Sequence, residues 1–138
     1  MTEQHTFSHH ELINAAISGI KNTYTPYSNF QVGAAILTNN NQVITGGNIE
    51  NAAYGLCMCA ERVAIFRAYA EGFTKDTLKK IAIVADTQEA VSPCGSCRQV
   101  MQELLPSSAT VILSNLSQNN IKETTVKALL PYPFANLT

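Results

Sequence analysis

Leu12, Ile13, Ala16, Ile17 and Ile20 recur at three- and four-residue intervals, so the segment from His9 to Lys21 reads as an amphipathic helix. Ser8 followed by Glu11 has the spacing of a capping box, and Phe7 with Leu12 can form the apolar staple around it. Pro26 bars any extension. Gln31 to Leu37 is a nearly unbroken apolar run, the signature of a buried strand. The Asn-rich stretch Thr38 to Gln42 turns the chain, and Val43 to Ile49 returns as the second arm of a hairpin.

Downstream the period changes repeatedly. Ala60 to Glu71 reads as a helix stopped by Gly72, and Leu78 to Ala85 as a strand. A third helix is expected from Cys94 to Leu105, ending before Pro106. Thr110 to Leu113 and Ile121 to Thr124 read as further strands, with a helical turn up to Leu130. Helices alternating with strands after an initial hairpin predict an α/β fold, a three-layer α/β/α sandwich around one mixed five-stranded sheet. No repeat or linker divides residues 1–138, so one domain is expected.

Composition narrows the function. Hydrophobic residues make up 46% and charged residues 14%, as in globular chains. Nine basic and ten acidic residues are scattered at a net charge of −1, with no stripe to grip a phosphate backbone. No nucleic-acid partner is expected. The start, Met1 to Ser8, is polar, and stretches such as Ile81 to Ala85 are too short to span a bilayer. A cytoplasmic address and no membrane partner follow as expectations. In such a reducing setting the four cysteines read as ligands or nucleophiles.

Two segments carry the chemistry: Cys59-Ala60-Glu61 and Pro93-Cys94-Gly95-Ser96-Cys97. Each opens a predicted helix. Cys94 and Cys97, three apart, present their thiols on one side of a first turn, and Cys59 adds a third from another helix start. Three protein ligands leave a tetrahedral ion one open position, the mark of a catalytic zinc. Three thiolates on Zn²⁺ sum to −1, and Arg62 is placed to offset that charge. One geometric difficulty stands: residues i and i+2 of a helix do not share a face, so Cys59 and Glu61 can line one pocket only if Cys59 sits at the helix edge.

Blander readings compete. Cys57 could close the site as a fourth ligand and make it structural, or be a small buried hydrophobe. Glu61 could merely complement the helix dipole, and Arg62 could be a surface residue. Asn48 and Glu50 could be strand-end polar residues, Phe30 and Phe134 core. His5, His9 and His10 are read as surface histidines.

The segments Cys59-Ala60-Glu61-Arg62 and Pro93-Cys94-Gly95-Ser96-Cys97-Arg98-Gln99 resemble those of the cytidine deaminases in their small-subunit, three-cysteine form. Pro26 to Ala35, Gly47 to Tyr54, and Leu129-Leu130-Pro131 with Phe134 extend the resemblance to the tail. It implies hydrolytic deamination of cytidine and deoxycytidine in pyrimidine salvage, with one Zn²⁺ on Cys59, Cys94 and Cys97 and Glu61 moving protons. It assigns substrate contacts to Phe30, Asn48, Ile49, Glu50, Tyr54, Ala60 and Phe134. Asn48 and Glu50 would hold the sugar, as alternate strand residues sharing a face. Phe134 and Tyr54 would reach a neighbour's site in a homotetramer. The alternatives are a deaminase of aminoacylnucleoside antibiotics of the blasticidin type and a non-catalytic zinc module.

Overall fold

The computed structural model describes residues 6–136. Helix α1 spans His9–Gly19 and begins as its sequence predicts: the Ser8 hydroxyl accepts from the Glu11 N–H, the Glu11 carboxylate takes the Ser8 N–H, and Phe7 packs onto the cluster containing Leu12. It stops two residues earlier than expected, because Ile20–Asn22 tighten into a 3-10 turn. Strands β1 (Val32–Thr38) and β2 (Val43–Gly47) form the hairpin. Helix α2 (Ala60–Ala70) follows, then β3 (Leu78–Ala85), α3 (Gly95–Leu104), β4 (Thr110–Asn115), β5 (Ile121–Thr125) and the short α4 (Val126–Leu129). Gly72 ends α2 with φ 96°, a left-handed conformation that glycine adopts without steric cost. There its N–H reaches Tyr69 O and that of Phe73 reaches Ala68 O, satisfying two carbonyls of the last turn.

The sheet order is β2-β1-β3-β4-β5, with only β3 and β4 parallel. Alternation along the strands builds the layers. Ala35, Leu37, Ala82, Val84 and Ile112 face α1, packing with Leu12, Ile13 and Ala16. Ala34, Ile36, Ile81, Ile83, Val111 and Leu113 form the other core with Ala64, Ile65 and Ala68 of α2 and Met101 of α3. The α/β/α sandwich with a mixed five-stranded sheet is therefore the observed fold.

Two successive antiparallel pairings, β2 with β1 and β1 with β3, make β2 and β3 run the same way. Helices α2 and α3 each follow one of these strands, and both contribute to the same core. Their amino termini consequently meet at one end of the sheet, beyond the carboxyl ends of β2 and β3. Open α/β sheets bind ligands at that end.

Gly46 sets how close α2 comes. A Cβ there would lie 2.6 Å from Ala64 N and 2.8 Å from Ala60 O, both backbone atoms of the helix. Gly46→Ala should therefore push α2 outward and lower the unfolding free energy by roughly 1–3 kcal/mol. Urea unfolding checks this, and an unchanged midpoint would refute it.

Candidate active site

Cys59 is the residue that caps α2, with extended backbone angles of φ −70° and ψ 151°, and Cys94 caps α3 at φ −67° and ψ 165°. Neither thiol caps its helix; both turn toward the space between the helix starts. This resolves the spacing difficulty, because Cys59 has not yet joined the helical progression when Glu61 already has. Cys97 follows Cys94 by three residues and is buried. The sulfurs of Cys59, Cys94 and Cys97 lie within 4.8 Å of one another, with Cys59 to Cys94 at 3.9 Å. Sulfurs on a tetrahedral zinc at about 2.3 Å stand roughly 3.8 Å apart, so the donor set fits that ion.

Arg62 reaches the cluster: its Nη2 donates to Cys59 Sγ at 3.3 Å. Among the thiols themselves, the hydrogen bond from Cys97 and then the Arg62 guanidinium bring Cys59 down to about 5. Cys97 moves up, because it shares its proton with Cys59 and is desolvated. Glu61 is 4% exposed, and burial pushes its carboxyl above the ordinary value of 4.5. The Glu61 backbone N–H opposes that rise most, the Cys59 charge adds to it, and Cys97 and Arg62 lower it slightly.

Cys57 stands apart from this cluster. Its sulfur accepts from Asn51 N at 3.3 Å and donates to Asn51 O at 3.6 Å, so it is no fourth ligand. It is also half-buried rather than the fully buried hydrophobe that its size suggests. His9 pairs with Glu123 at 3.7 Å and His10 with Gln118 at 2.8 Å on the surface; His5 lies outside the described residues.

Residues 48–50 follow β2. The predicted strand Val43 to Ile49 ends at Gly47, and Ile49 instead forms isolated bridges to Tyr24 and Met58. Asn48 Oδ1 accepts from Val32 N at 2.9 Å and Nδ2 donates to Phe30 O at 2.9 Å, fixing the half-exposed Phe30. The Glu50 carboxylate accepts from the N–H groups of Tyr27 and Ser28 at 3.0 and 3.1 Å, and from the Ser28 hydroxyl. A carboxylate offers about four acceptor positions, so one remains for a ligand hydroxyl. Tyr27, Ser28, Glu50, Tyr54 and Cys57 line a cleft of about 240 Å³, in which the Tyr27 and Tyr54 rings meet edge-on. Larger clefts of about 650 and 500 Å³ lie along the carboxyl-terminal tail and carry no thiol.

Tyr54 is 76% exposed and Phe134 68%, whereas the Ala60 methyl lies in the core and offers no side chain to a ligand. Tyr27 and Ser28 gain their part from tertiary pairing: the Pro-Tyr-Ser loop shows in the sequence, but its bonds to Glu50 join residues more than twenty positions apart. Arg98 of the second motif gains its contacts only in the folded chain. That guanidinium donates to Pro93 O, Leu129 O and Ser92 Oγ.

The Ser28 hydroxyl is the main cause holding the Glu50 carboxyl below 4.5. A depressed carboxyl stabilises the fold above its unfolded pKa, and that contribution disappears as pH falls through the depressed value. Ser28→Ala should move the Glu50 titration upward toward 4.5, read by carboxyl NMR. An unmoved titration would refute the clamp.

An α/β/α sandwich that gathers three thiols and a buried carboxylate at two helix starts is built as a metal-dependent hydrolase. Comparison with known proteins specifies which kind. The family model for the cytidine and deoxycytidylate deaminase zinc-binding region matches residues 7–113. A cytidine deaminase of Halalkalibacterium halodurans is 54% identical over 123 residues, 89% of this chain and 91% of that protein. The crystal structure of cytidine deaminase from Burkholderia pseudomallei superposes with a TM-score of 0.90 at 47% identity, covering 93% of this chain and all of that one. A blasticidin-S deaminase of Bacillus cereus is more distant, 30% identical over 131 residues. The chain belongs to the cytidine and deoxycytidylate deaminase family, whose members are zinc-dependent hydrolases. Among the described residues, no helix is long and apolar enough to cross a membrane.

Proposed function

We propose that the chain hydrolytically deaminates free cytidine and 2′-deoxycytidine to the uracil nucleosides and ammonia, serving pyrimidine salvage in the cytoplasm as one catalytic domain over residues 1–138. The observation that carries this is the buried Glu61 beside a three-sulfur cluster from which Cys57 is excluded.

Cys59, Cys94 and Cys97 would hold one Zn²⁺, whose Lewis acidity brings the pKa of water toward neutrality. Arg62 offsets the excess charge of the sulfurs. Glu61 takes a proton from the water that adds at C4 of the base and gives it to ring N3. It then passes the remaining water proton to the departing amine, so that C4 is left as a carbonyl. A carboxylate that serves as base and then acid works best with a pKa raised toward the working pH, the direction in which burial drives Glu61.

Glu50 and Asn48 hold the ribose, Glu50 through its remaining acceptor position and Asn48 through its second amide N–H. Ile49 and the backbone of Ala60 complete the wall, and Phe30 lines the base. A carboxylate at the sugar repels a 3′-phosphate, which selects free nucleosides over bases within a strand. The lack of a basic stripe supports the same choice. The 54% identity to a cytidine deaminase, against 30% to the blasticidin-S enzyme, supports the simple nucleoside over an aminoacylated one.

The exposed rings of Tyr54 and Phe134 support a homotetramer in which neighbouring copies complete each site. Turnover across cytidine, deoxycytidine, cytosine, cytidine monophosphate and a cytidine-containing oligonucleotide tests the reading. The two nucleosides should lead, and faster oligonucleotide turnover would defeat it.

A further inference from the structure

Arg98 makes three bonds to two stretches of chain that sequence keeps far apart. Its Nε donates to Pro93 O at 2.9 Å and its Nη2 to Ser92 Oγ at 2.8 Å, both in the segment running into Cys94. Its Nη1 donates to Leu129 O at 3.0 Å, at the end of α4. Each acceptor lacks an obvious helical partner. Pro93 is buried and precedes α3, so its carbonyl lies outside the helical ladder; Leu129 is the last residue of α4, where carbonyls are left over. The neighbouring Gln99 adds a fourth tie, donating from Nε2 to Phe134 O at 2.7 Å.

The consequence for geometry is direct. Cys97 is fixed by the regular first turn of α3, whereas Cys94 sits at the cap with extended backbone angles, tied to the helix through its carbonyl, which accepts from Arg98 N at 3.1 Å. The chain enters that cap through residues 92–93, and the Arg98 side chain holds their path from the same helical turn that carries Cys97. The tail from Leu129 to Phe134 is referenced to that turn as well.

We propose that Arg98 is a positioning residue that sets the separation of the Cys94 and Cys97 sulfurs and ties the position of the tail to it. The proposal rests on the assignment of Cys59, Cys94 and Cys97 as zinc ligands. It requires the planar fork of a guanidinium, since a lysine ammonium is a compact charge that cannot span the three acceptors.

The test uses the full chain loaded with zinc and, separately, with cobalt(II). Arg98→Ala and Arg98→Lys should each hold zinc about 10–100-fold more weakly in competition with a chromogenic chelator, the usual effect of losing a group that orients a ligand. The cobalt spectrum should change in its thiolate-to-metal and ligand-field bands, and hydrogen exchange at residues 129–134 should speed up. Ser92→Ala removes one leg only and should weaken zinc by a smaller factor, which keeps the idea testable if Arg98→Ala does not fold. Arg67→Ala, on the outer side of α2, serves as a control for losing a cation. Zinc affinity within twofold of the parent in both Arg98→Lys and Ser92→Ala, with unchanged cobalt bands, would overturn the proposal. A parent chain whose cobalt form shows no thiolate bands would instead overturn the ligand assignment on which it stands.

Discussion

Replacing Glu61 with glutamine should lower cytidine turnover by about 10²–10⁴-fold, the usual contribution of a positioned general acid and base. Zinc content should stay that of the parent. The amide is close in shape to the carboxylate and keeps the buried volume of the α2 start filled, but it can neither accept the proton of water nor return it to N3. Retained zinc is the informative half of the result. Glu61 is 4% exposed and lies against the cluster without belonging to the sulfur set. A fall in metal content matching the fall in activity would make Glu61 a ligand or a scaffold. Near-normal turnover would remove it from the chemistry altogether. Metal analysis and initial rates on the same preparation separate the three cases.

Replacing Cys97 with alanine should abolish both zinc binding and turnover. Cys97 is buried between the other two sulfurs and the helix core, so its loss leaves two donors, too few to define a tetrahedral site. Cys57→Ala should by contrast keep one zinc per chain, because its sulfur bonds the Asn51 backbone and stands outside the cluster. Atomic absorption on the two variants decides the matter. Full zinc in Cys97→Ala, or lost zinc in Cys57→Ala, would reverse the assignment of open and closed coordination.

Much of the fold was legible along the chain because it rests on local signals. The Ser8–Glu11 capping box, the Gly72 stop and the five strands are written in spacing and turn chemistry, and the structure reproduces them with ends shifted by one or two residues. A difference with a visible cause is at β2, where Val43 to Ile49 reads as one strand but the strand closes at Gly47. It ends there, since Asn48 and Glu50 spend their side chains on the loop that carries Tyr27, Ser28 and Phe30. Periodicity cannot see that exchange, because it joins residues about twenty positions apart.

The site divides the same way. Sequence by itself determined which atoms are available: three thiols near two helix starts, a carboxylate two residues after one of them, and an arginine able to neutralise the sulfurs. Only the tertiary structure decided that these atoms meet. Two antiparallel pairings orient β2 and β3 alike, so the helices that follow begin at the same end of the sheet, and the residues capping them bring Cys59 within 3.9 Å of Cys94. It also decided that Cys57 faces Asn51 and that Arg98 spans from Ser92 to Leu129. The physical reason is that strand order and helix placement follow from burying both faces of one sheet. That condition involves the whole chain at once and leaves no mark in any short stretch of it.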